Sequence, residues 1–542
     1  MRRRIRTTCT ASIVGMGLLL SLSVGAQQTK QEVGASPTAQ AHFDVQEFRV
    51  LGNSLLSRRT IESAVYSFAG PGRTAADVQA ARSALEDAYR AAGYGAVFVD
   101  VPEQDVTQGV VRLKVTEGKL DRVRVVGAQY FSARDIKSAI PAATSGMSPH
   151  VPSLQSQLSS LNQVTRDRAV TPVMKMGRTP GTVDLDLRVV EDLPLHGSLS
   201  VNDRYTADTS RSRIGASLSY DNLLQRAHSI ALQYQVSPEE PSETQVWAAT
   251  YALPIPDTGW LLALYAVRSD SDVAAIGALS VLGKGRIQGV RAIRRLPGNA
   301  RFSQSLTLGL DHKDFLEDIR LDVSNGLLTP IEYWNASLLY SGALRGESTN
   351  SSFDLGLGLG PRRLGTTAQE FADKRFKGRS NYWYLRSNIR HTRNLPTGFS
   401  VAGRLSWQYA PAPLISNEQF SMGGAESVRG YLEAQEFGDY GFSASLELHS
   451  PSLLKYIGGG AKALDLFAFY DVGVTSIHDP LPENGVRAAQ TDRFDLASVG
   501  LGLRFLGYHG LDLALDWAYP LVSADTVDAG DDRLHFDVRY NF

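Results

Sequence analysis

The sequence predicts two small α+β domains, each of β-α-α-β-β order, followed by a sixteen-stranded antiparallel transmembrane β-barrel. Three observations carry that prediction. The chain opens on a basic and then apolar leader, and residues 43 to 192 run twice through the same series of alternating and helix-periodic stretches. From residue 193 onward, period-2 segments recur, joined alternately by short and long connections. That last pattern is the signature of an outer-membrane barrel, weak in one segment and strong in the series.

The leader, MRRRIRTTCTASIVGMGLLLSLSVGA, has four arginines in its first six residues and ends its apolar run at Val24-Gly25-Ala26, the small-residue pattern of a cleavage site. Residues 1–26 are therefore expected to be a signal peptide, and residues 27–42, QQTKQEVGASPTAQAH, a polar linker. Nothing later offers the ~18 uninterrupted apolar residues of a membrane helix. The one cysteine, Cys9, lies in the leader, so the mature chain is expected to have neither thiol nor disulfide. A formal net charge of −1 recommends neither nucleic acid nor an anionic surface as partner.

The first domain is expected over 43–118. FDVQEFRVLGN alternates from Phe43 as a strand does and stops at the turn signal Gly52-Asn53. A short helix follows over Ser57 to Phe68 and a longer one over Thr74 to Ala92. Thr74 with Asp77 three residues on makes a capping box, while Val78, Ala81, Leu85, Ala88 and Ala92 keep one apolar face. AVFVDVPEQ and GVVRLKVTEG supply the closing strands. The second domain, 119–192, repeats the order with VRVVGAQYF, helical stretches around 133–140 and 152–164, AVTPVMKMG and TVDLDLRVVED. The repeat is read in element order, not in residue identity.

The barrel is expected over 193–542, with segments starting near 197, 211, 229, 244, 260, 284, 301, 331, 348, 380, 399, 441, 462, 494, 510 and 533. Sixteen is even, as closure without an edge in lipid requires of an antiparallel barrel. Short connections such as RLPGNA, NLPTG and GYHG alternate with long ones such as GPRRLGTTAQEFADKRFKG. With the first strand running outward, the long connections lie outside the cell, and the stretch 411–440 is the sixth of them. In LDLALDWAY, Leu511, Leu513, Leu515, Trp517 and Tyr519 share a face suited to lipid, leaving Asp512, Ala514 and Asp516 inward. RLHFDVRYNF likewise places Leu534, Phe536, Val538, Tyr540 and Phe542 together.

Catalytic motifs are missing: there is no Gly-x-Ser-x-Gly elbow, His-Glu-x-x-His helix or Gly-x4-Gly-Lys-Ser/Thr loop. The ten histidines are scattered and none has ligand spacing. Acidic pairs such as Glu239-Glu240 and Asp531-Asp532 fall in expected external loops, as solvated charges. No enzyme activity, cofactor or metal is expected.

The run GYGAVFVDVPEQDVTQGVVRLKVTEG, residues 93–118, resembles the first polypeptide-transport-associated (POTRA) domain of two-partner secretion transporters of the haemolysin/adhesin type. KMGRTPGTVDLDLRVVED, residues 175–192, resembles the end of their second. The resemblance implies an outer-membrane transporter whose POTRA domains stand in the periplasm. They catch an unfolded exoprotein by its amino-terminal secretion domain, and the client crosses the barrel without ATP. It implies a sixth loop folded into the lumen with a Val/Ile-Arg-Gly-Tyr/Phe tip, here Val428, Arg429, Gly430 and Tyr431. The tip's partner in the family is an aspartate on the thirteenth strand, here Asp471 in DLFAFYDVG. Parity adds a separate argument: if Leu464, Leu466, Ala468, Tyr470 and Val472 face lipid, then Asp465, Phe467, Phe469, Asp471 and Gly473 face the lumen. A carboxylate beside two phenyl rings is a receptor for a guanidinium, and Gly473 leaves room for the loop.

The terminal face with Phe536, Val538, Tyr540 and Phe542 is similar to the signal read by barrel assembly machinery. Further expected partners are outer-membrane lipid, with no nucleic acid and a monomeric chain. Some family members carry a plug helix, which the short polar stretch 27–42 does not favour. One alternative is a barrel assembly factor of the same superfamily, which usually carries more than two such domains. A more distant one is a porin or outer-membrane enzyme.

Overall fold

The computed structural model describes residues 42–542 except 208, 257, 272, 277–278, 283, 317, 321–325, 329, 362–363, 365–366, 455–461 and 481–491. The expected leader, and the linker up to residue 41, lie outside the described residues. The chain divides into two compact units, Met1–Gly118 and Lys119–Phe542.

In the first unit, Thr74 and Asp77 form the capping box that starts the helix Ala75–Ala91. Val78, Ala81 and Leu85 are buried on its inner face together with Tyr89, which the apolar pattern did not single out. The helix Arg58–Val65 starts at an N-cap serine, Ser57. Both pack on a three-stranded sheet in which Val110–Glu117 is central, parallel to Glu47–Leu51 and antiparallel to Val97–Asp100. The first expected strand is broken at Gln46, because the N–H groups of Gln46 and Glu47 both donate to the Gly109 carbonyl, at 2.7 and 3.1 Å. The detached piece, Phe43–Val45, pairs instead with Gly70–Arg73. That stretch, Gly-Pro-Gly-Arg, has no strand propensity and could not be read as one.

The second unit begins with the same arrangement: Thr182–Glu191 is central between parallel Lys119–Val126 and antiparallel Arg168–Met176, with helices Ala133–Ser138 and Val151–Asn162. Here the reading of a repeat in order alone is corrected. RVLGNSLLS at 49–57 and RVVGAQYFS at 124–132 occupy equivalent places. Gly52 and Gly127 have φ of +88° and +95°, and a Cβ there would come within 2.3 and 2.5 Å of the carbonyl oxygens of Val115 and Val189. Ser57 and Ser132 cap the helix that follows in each unit. Glu117 and Glu191 each accept two backbone N–H groups, from Ser54 and Leu55 (2.7 and 3.0 Å) and from Gln129 and Tyr130 (both 2.7 Å). Identity survives at Arg49 and Arg124, Val50 and Val125, the two glycines and the two capping serines, points too few and scattered for a reading by periodicity to show.

The rest of the second unit is a closed antiparallel barrel of sixteen strands. Strands 1 to 8 are Leu195–Asn202, Arg213–Leu223, His228–Val236, Gln245–Ile255, Trp260–Ser269, Gly285–Leu296, Phe302–Phe315 and Ile331–Arg345. Strands 9 to 16 are Thr349–Leu359, Trp383–Asn394, Ser400–Tyr409, Tyr440–His449, Ala463–Ser476, Arg493–Tyr508, Leu511–Pro520 and Arg533–Asn541. No start lies further from expectation than strand 10, at 383 against 380. Strand 16 closes on strand 1. At that seam Gly197 and Phe542 exchange two backbone hydrogen bonds of 3.0 Å, and the Phe542 ring lies where a Gly197 side chain would be.

Outward positions such as Leu199, Leu232, Leu446, Leu466, Leu501 and Trp517 are exposed large apolar groups, an unfavourable surface in water and the required one in lipid. Strand 13 follows the expected parity, with Phe467, Phe469 and Asp471 buried inward. Leu464 departs from it: it is covered where the chain after strand 12 folds back, the Leu453 N–H donating to the Leu464 carbonyl at 2.7 Å.

Candidate functional site

Between strands 11 and 12 the chain runs inward as loop 6, residues 410–439. Its two limbs pair as a short hairpin, Phe420–Met422 with Glu436–Gly438, and carry the tip into the lumen. Met422, Val428, Tyr431 and Leu432 of the loop pack with Leu496 of strand 14 and Val527 of loop 8, residues 521–532 between strands 15 and 16, in one buried apolar cluster.

The tip brings the expected residues together. Arg429 is 1% exposed and Asp471 is fully buried. The guanidinium donates through Nε to Asp471 Oδ2 at 2.7 Å and through Nη2 to Oδ1 at 2.8 Å. The Arg429 backbone N–H adds a third bond to Oδ2 at 3.1 Å. The arrangement is bidentate, the geometry a planar fork makes and an ammonium cannot. The cation lies 3.6 Å from the Phe469 ring centroid and 5.7 Å from that of Phe467. Phe467 in turn lies under Arg504, at 4.6 Å, and Arg504 is paired with Asp516. A Cβ at Gly473 would come 2.9 Å from Met422 Sδ and 3.0 Å from Val428 Cγ2, so the glycine is what lets the loop seat there. The Tyr431 hydroxyl reaches the carbonyls of Ala497 and Val522 at 2.9 and 2.7 Å, tying the tip to strand 14 and loop 8.

Four partners escaped the sequence reading. Glu447 of strand 12 takes Arg429 Nη1 at 2.8 Å, and Ser445 Oγ accepts from Nη2 at 2.9 Å. Both stand opposite strand 13 in register, Ser445 beside Asp471 and Glu447 beside Phe469. The polar run Ser443, Ser445, Glu447, His449 at period 2 could have revealed them, since it marks an inward face as clearly as the strand 13 pattern does. His535 of strand 16 accepts the Gly430 N–H on Nε2 at 2.9 Å and turns Nδ1 to Asp203 at 3.1 Å. Asp203 also accepts the Phe536 N–H at 2.8 Å. The tip thus touches the strand 16 side of the seam, a contact that only closure of the barrel creates.

Of the terminal face, Tyr540 and Phe542 are exposed and Phe536 and Val538 half-buried, whereas His535, on the opposite face of strand 16, is buried. Among the described residues, Asp167, His196 and Asp221 have ligand atoms within 4.8 Å of one another. His196 Nε2 stands 2.9 Å from Asp167 and 3.7 Å from Asp221.

Comparison with known proteins places this architecture. Residues 181–505, more than half of the chain, match the family described as haemolysin secretion/activation protein ShlB/FhaC/HecB. The chain belongs to that family. Residues 43–118 separately match the ShlB-type POTRA domain. The chain is 24% identical over 436 residues to the outer membrane transporter CdiB of Escherichia coli O6:K15:H31 (strain 536 / UPEC), covering 77% of this chain and 70% of that one. In fold it is similar to the structure of CdiB from Escherichia coli, with a TM-score of 0.59 at 18% identity over 95% of this chain and 93% of that one. It is also similar to BamA from Haemophilus ducreyi lacking POTRA domains 1–3, with a TM-score of 0.56 at 15% identity over 92% and 100%. The protein is thus a two-partner secretion transporter of the outer membrane, with its POTRA domains in the periplasm.

Proposed function

We propose that the POTRA domains capture the amino-terminal secretion domain of an unfolded exoprotein by strand addition, and that the client passes along the lumen beside loop 6 without ATP. Strand addition takes main-chain hydrogen bonds from an extended client and demands little of its sequence. The sheet of the second domain offers an open edge for it in Arg168–Met176, where Met174 and Met176 are exposed and Pro172 fits only an edge. Val428, Arg429, Gly430 and Tyr431 act as the tip that positions loop 6. Asp471 with Phe467, Phe469 and Gly473 acts as its receptor, and no catalytic role is assigned to any of them. Phe536, Val538, Tyr540 and Phe542 are proposed as the face read by barrel assembly machinery, and the chain works as a monomer in lipid.

The observation that carries this reading is the burial of Arg429 between two wall carboxylates inside the barrel, where bulk water would otherwise solvate it at no cost. The test is co-expression with a candidate exoprotein that carries an amino-terminal secretion domain, in a host without other such systems. The exoprotein is expected in the medium only when the chain is present and residues 43–118 are intact. Secretion that persists after deletion of 43–118 would overturn capture by the POTRA domains.

A further inference from the structure

Loop 6 meets the rest of the barrel at several places besides Arg429, among them Glu426, paired with Arg204 at 2.7 Å, and Asp439, which accepts the His478 N–H at 2.7 Å. Earlier in the loop, the carboxylate of Glu418 is 2% exposed and meets four donors from another arc of the wall. Lys313 Nζ of strand 7 and Tyr333 Oη of strand 8 reach Oε1 at 2.5 and 2.6 Å. Tyr384 Oη of strand 10 and Asn335 Nδ2 of strand 8 reach Oε2 at 2.9 and 3.4 Å. The Glu418 carbonyl is held as well, accepting from Gln408 Nε2 of strand 11 at 3.1 Å. A buried carboxylate is tolerated only when its lone pairs are taken, and among the described residues its side-chain donors all belong to the wall. Barrel closure needs none of these groups, since the strands pair through their backbones.

We propose that Glu418 is a second anchor of loop 6, a positioning residue that sets how far the resting pore is open. The proposal rests on loop 6 being the element that occupies the pore. The two anchors have opposite sign: the loop presents an anion to a basic and phenolic wall at Glu418, and a cation to an acidic wall at Arg429. The loop therefore seats in one register only. Beside the Glu418 anchor a cavity of about 450 Å³ separates loop and wall, lined by Arg291, Asp311 and Arg386 on one side and Glu418, Phe420 and Ser427 on the other. The limb before Glu418 is packed, with Leu414 and Ile415 each 1% exposed in an apolar cluster with Phe315, Ile331 and Tyr333 of the wall, so the free space lies on the side of Phe420 and Ser427. Releasing Glu418 frees the limb to move into that space while the tip stays seated at Asp471, and this makes Glu418 the contact whose loss opens the pore without unseating the loop.

The test uses the full chain in planar lipid bilayers with potassium chloride as the only permeant, so that no client is needed. Glu418→Ala is expected to raise open-channel occupancy on the order of tenfold or more, the effect of losing a charge-assisted hydrogen bond, with the barrel still resistant to detergent unfolding in the cold. Lys313→Met, which leaves the loop untouched, is expected to act in the same direction and decides the matter if Glu418→Ala does not assemble. The exchange Lys313→Glu with Glu418→Lys is expected to return occupancy toward the parent, which a mere packing role would not do. Parental occupancy in both single variants, while Arg429→Ala changes it, would overturn the second anchor alone. If Arg429→Ala is silent too, the reading of loop 6 as the pore element falls with it.

Discussion

The two ends of loop 6 meet the barrel wall in different ways. At the tip, one guanidinium is received by two carboxylates and an aromatic bed from neighbouring strands 12 and 13. At the first limb, one carboxylate is received by donors scattered over strands 7, 8 and 10. The first receptor is compact in sequence: Phe467, Phe469, Asp471 and Gly473 lie on one strand at period 2. The second is assembled from residues on three strands, Lys313 facing Tyr333 across one hairpin and Tyr384 two strands further on, and exists only once those strands pair in register. A receptor on one strand is specified by a short motif. A receptor spread over three strands is specified by the fold.

Substitutions at the two ends should differ accordingly. The largest effect is expected from Gly473→Leu, whose side chain would occupy the space of Val428 and Met422; secretion should be lost while the folded barrel still shows its heat-dependent gel shift. Asp471→Asn comes next, since it keeps the shape of the receptor but leaves Arg429 facing Glu447 alone. Breaking a buried pair costs on the order of 3–5 kcal/mol, so secretion should fall by tenfold or more. Glu447→Gln should fall less, because the bidentate contact with Asp471 remains. This asymmetry also warns against a simple exchange of Arg429 and Asp471: an aspartate at 429 would face Glu447, so rescue is expected only when Glu447→Gln is added. His535→Ala is milder again. It leaves the Gly430 N–H without its acceptor, a loss of about 1–3 kcal/mol, and should appear as faster amide exchange at the tip.

The smallest expected effect is on pH. Burial, with Asp525 adding to it, pushes the Glu436 carboxyl up to about 7 in the hairpin of loop 6. Because its pKa is raised on folding, its contribution to hairpin stability is fully present below about 4.5, the value of a free glutamate, and is lost as pH rises through 7. Amide exchange over 420–438 should therefore be slower at pH 6 than at pH 8 once intrinsic rates are corrected. Glu436→Gln should remove the difference.

The sixteen strands and their parity were legible because the lipid face and the lumen impose a period of two on every strand, and closure imposes an even count. Arg429 and Asp471 were legible through the motif and the inward face of strand 13 together. Glu447 was within reach of the same parity argument applied to strand 12. Glu418 was not: a lone acid in a long loop reads as a solvated charge, and its receptor is visible only once strands 7 to 10 are paired in order. The pairing of Phe43–Val45 with Gly70–Arg73 was hidden for a related reason, since a carbonyl at Gly109 diverts the chain at Gln46. The identity between the two periplasmic repeats was hidden because it is confined to a few scattered points such as Gly52 and Gly127 or Ser57 and Ser132.

The measurement closest to the central claim is secretion by Arg429→Ala, read alongside outer-membrane assembly of the same variant. A barrel assembled at parental level with client secretion reduced tenfold or more is the predicted result. Parental secretion by an assembled Arg429→Ala barrel would contradict the assignment of the loop tip.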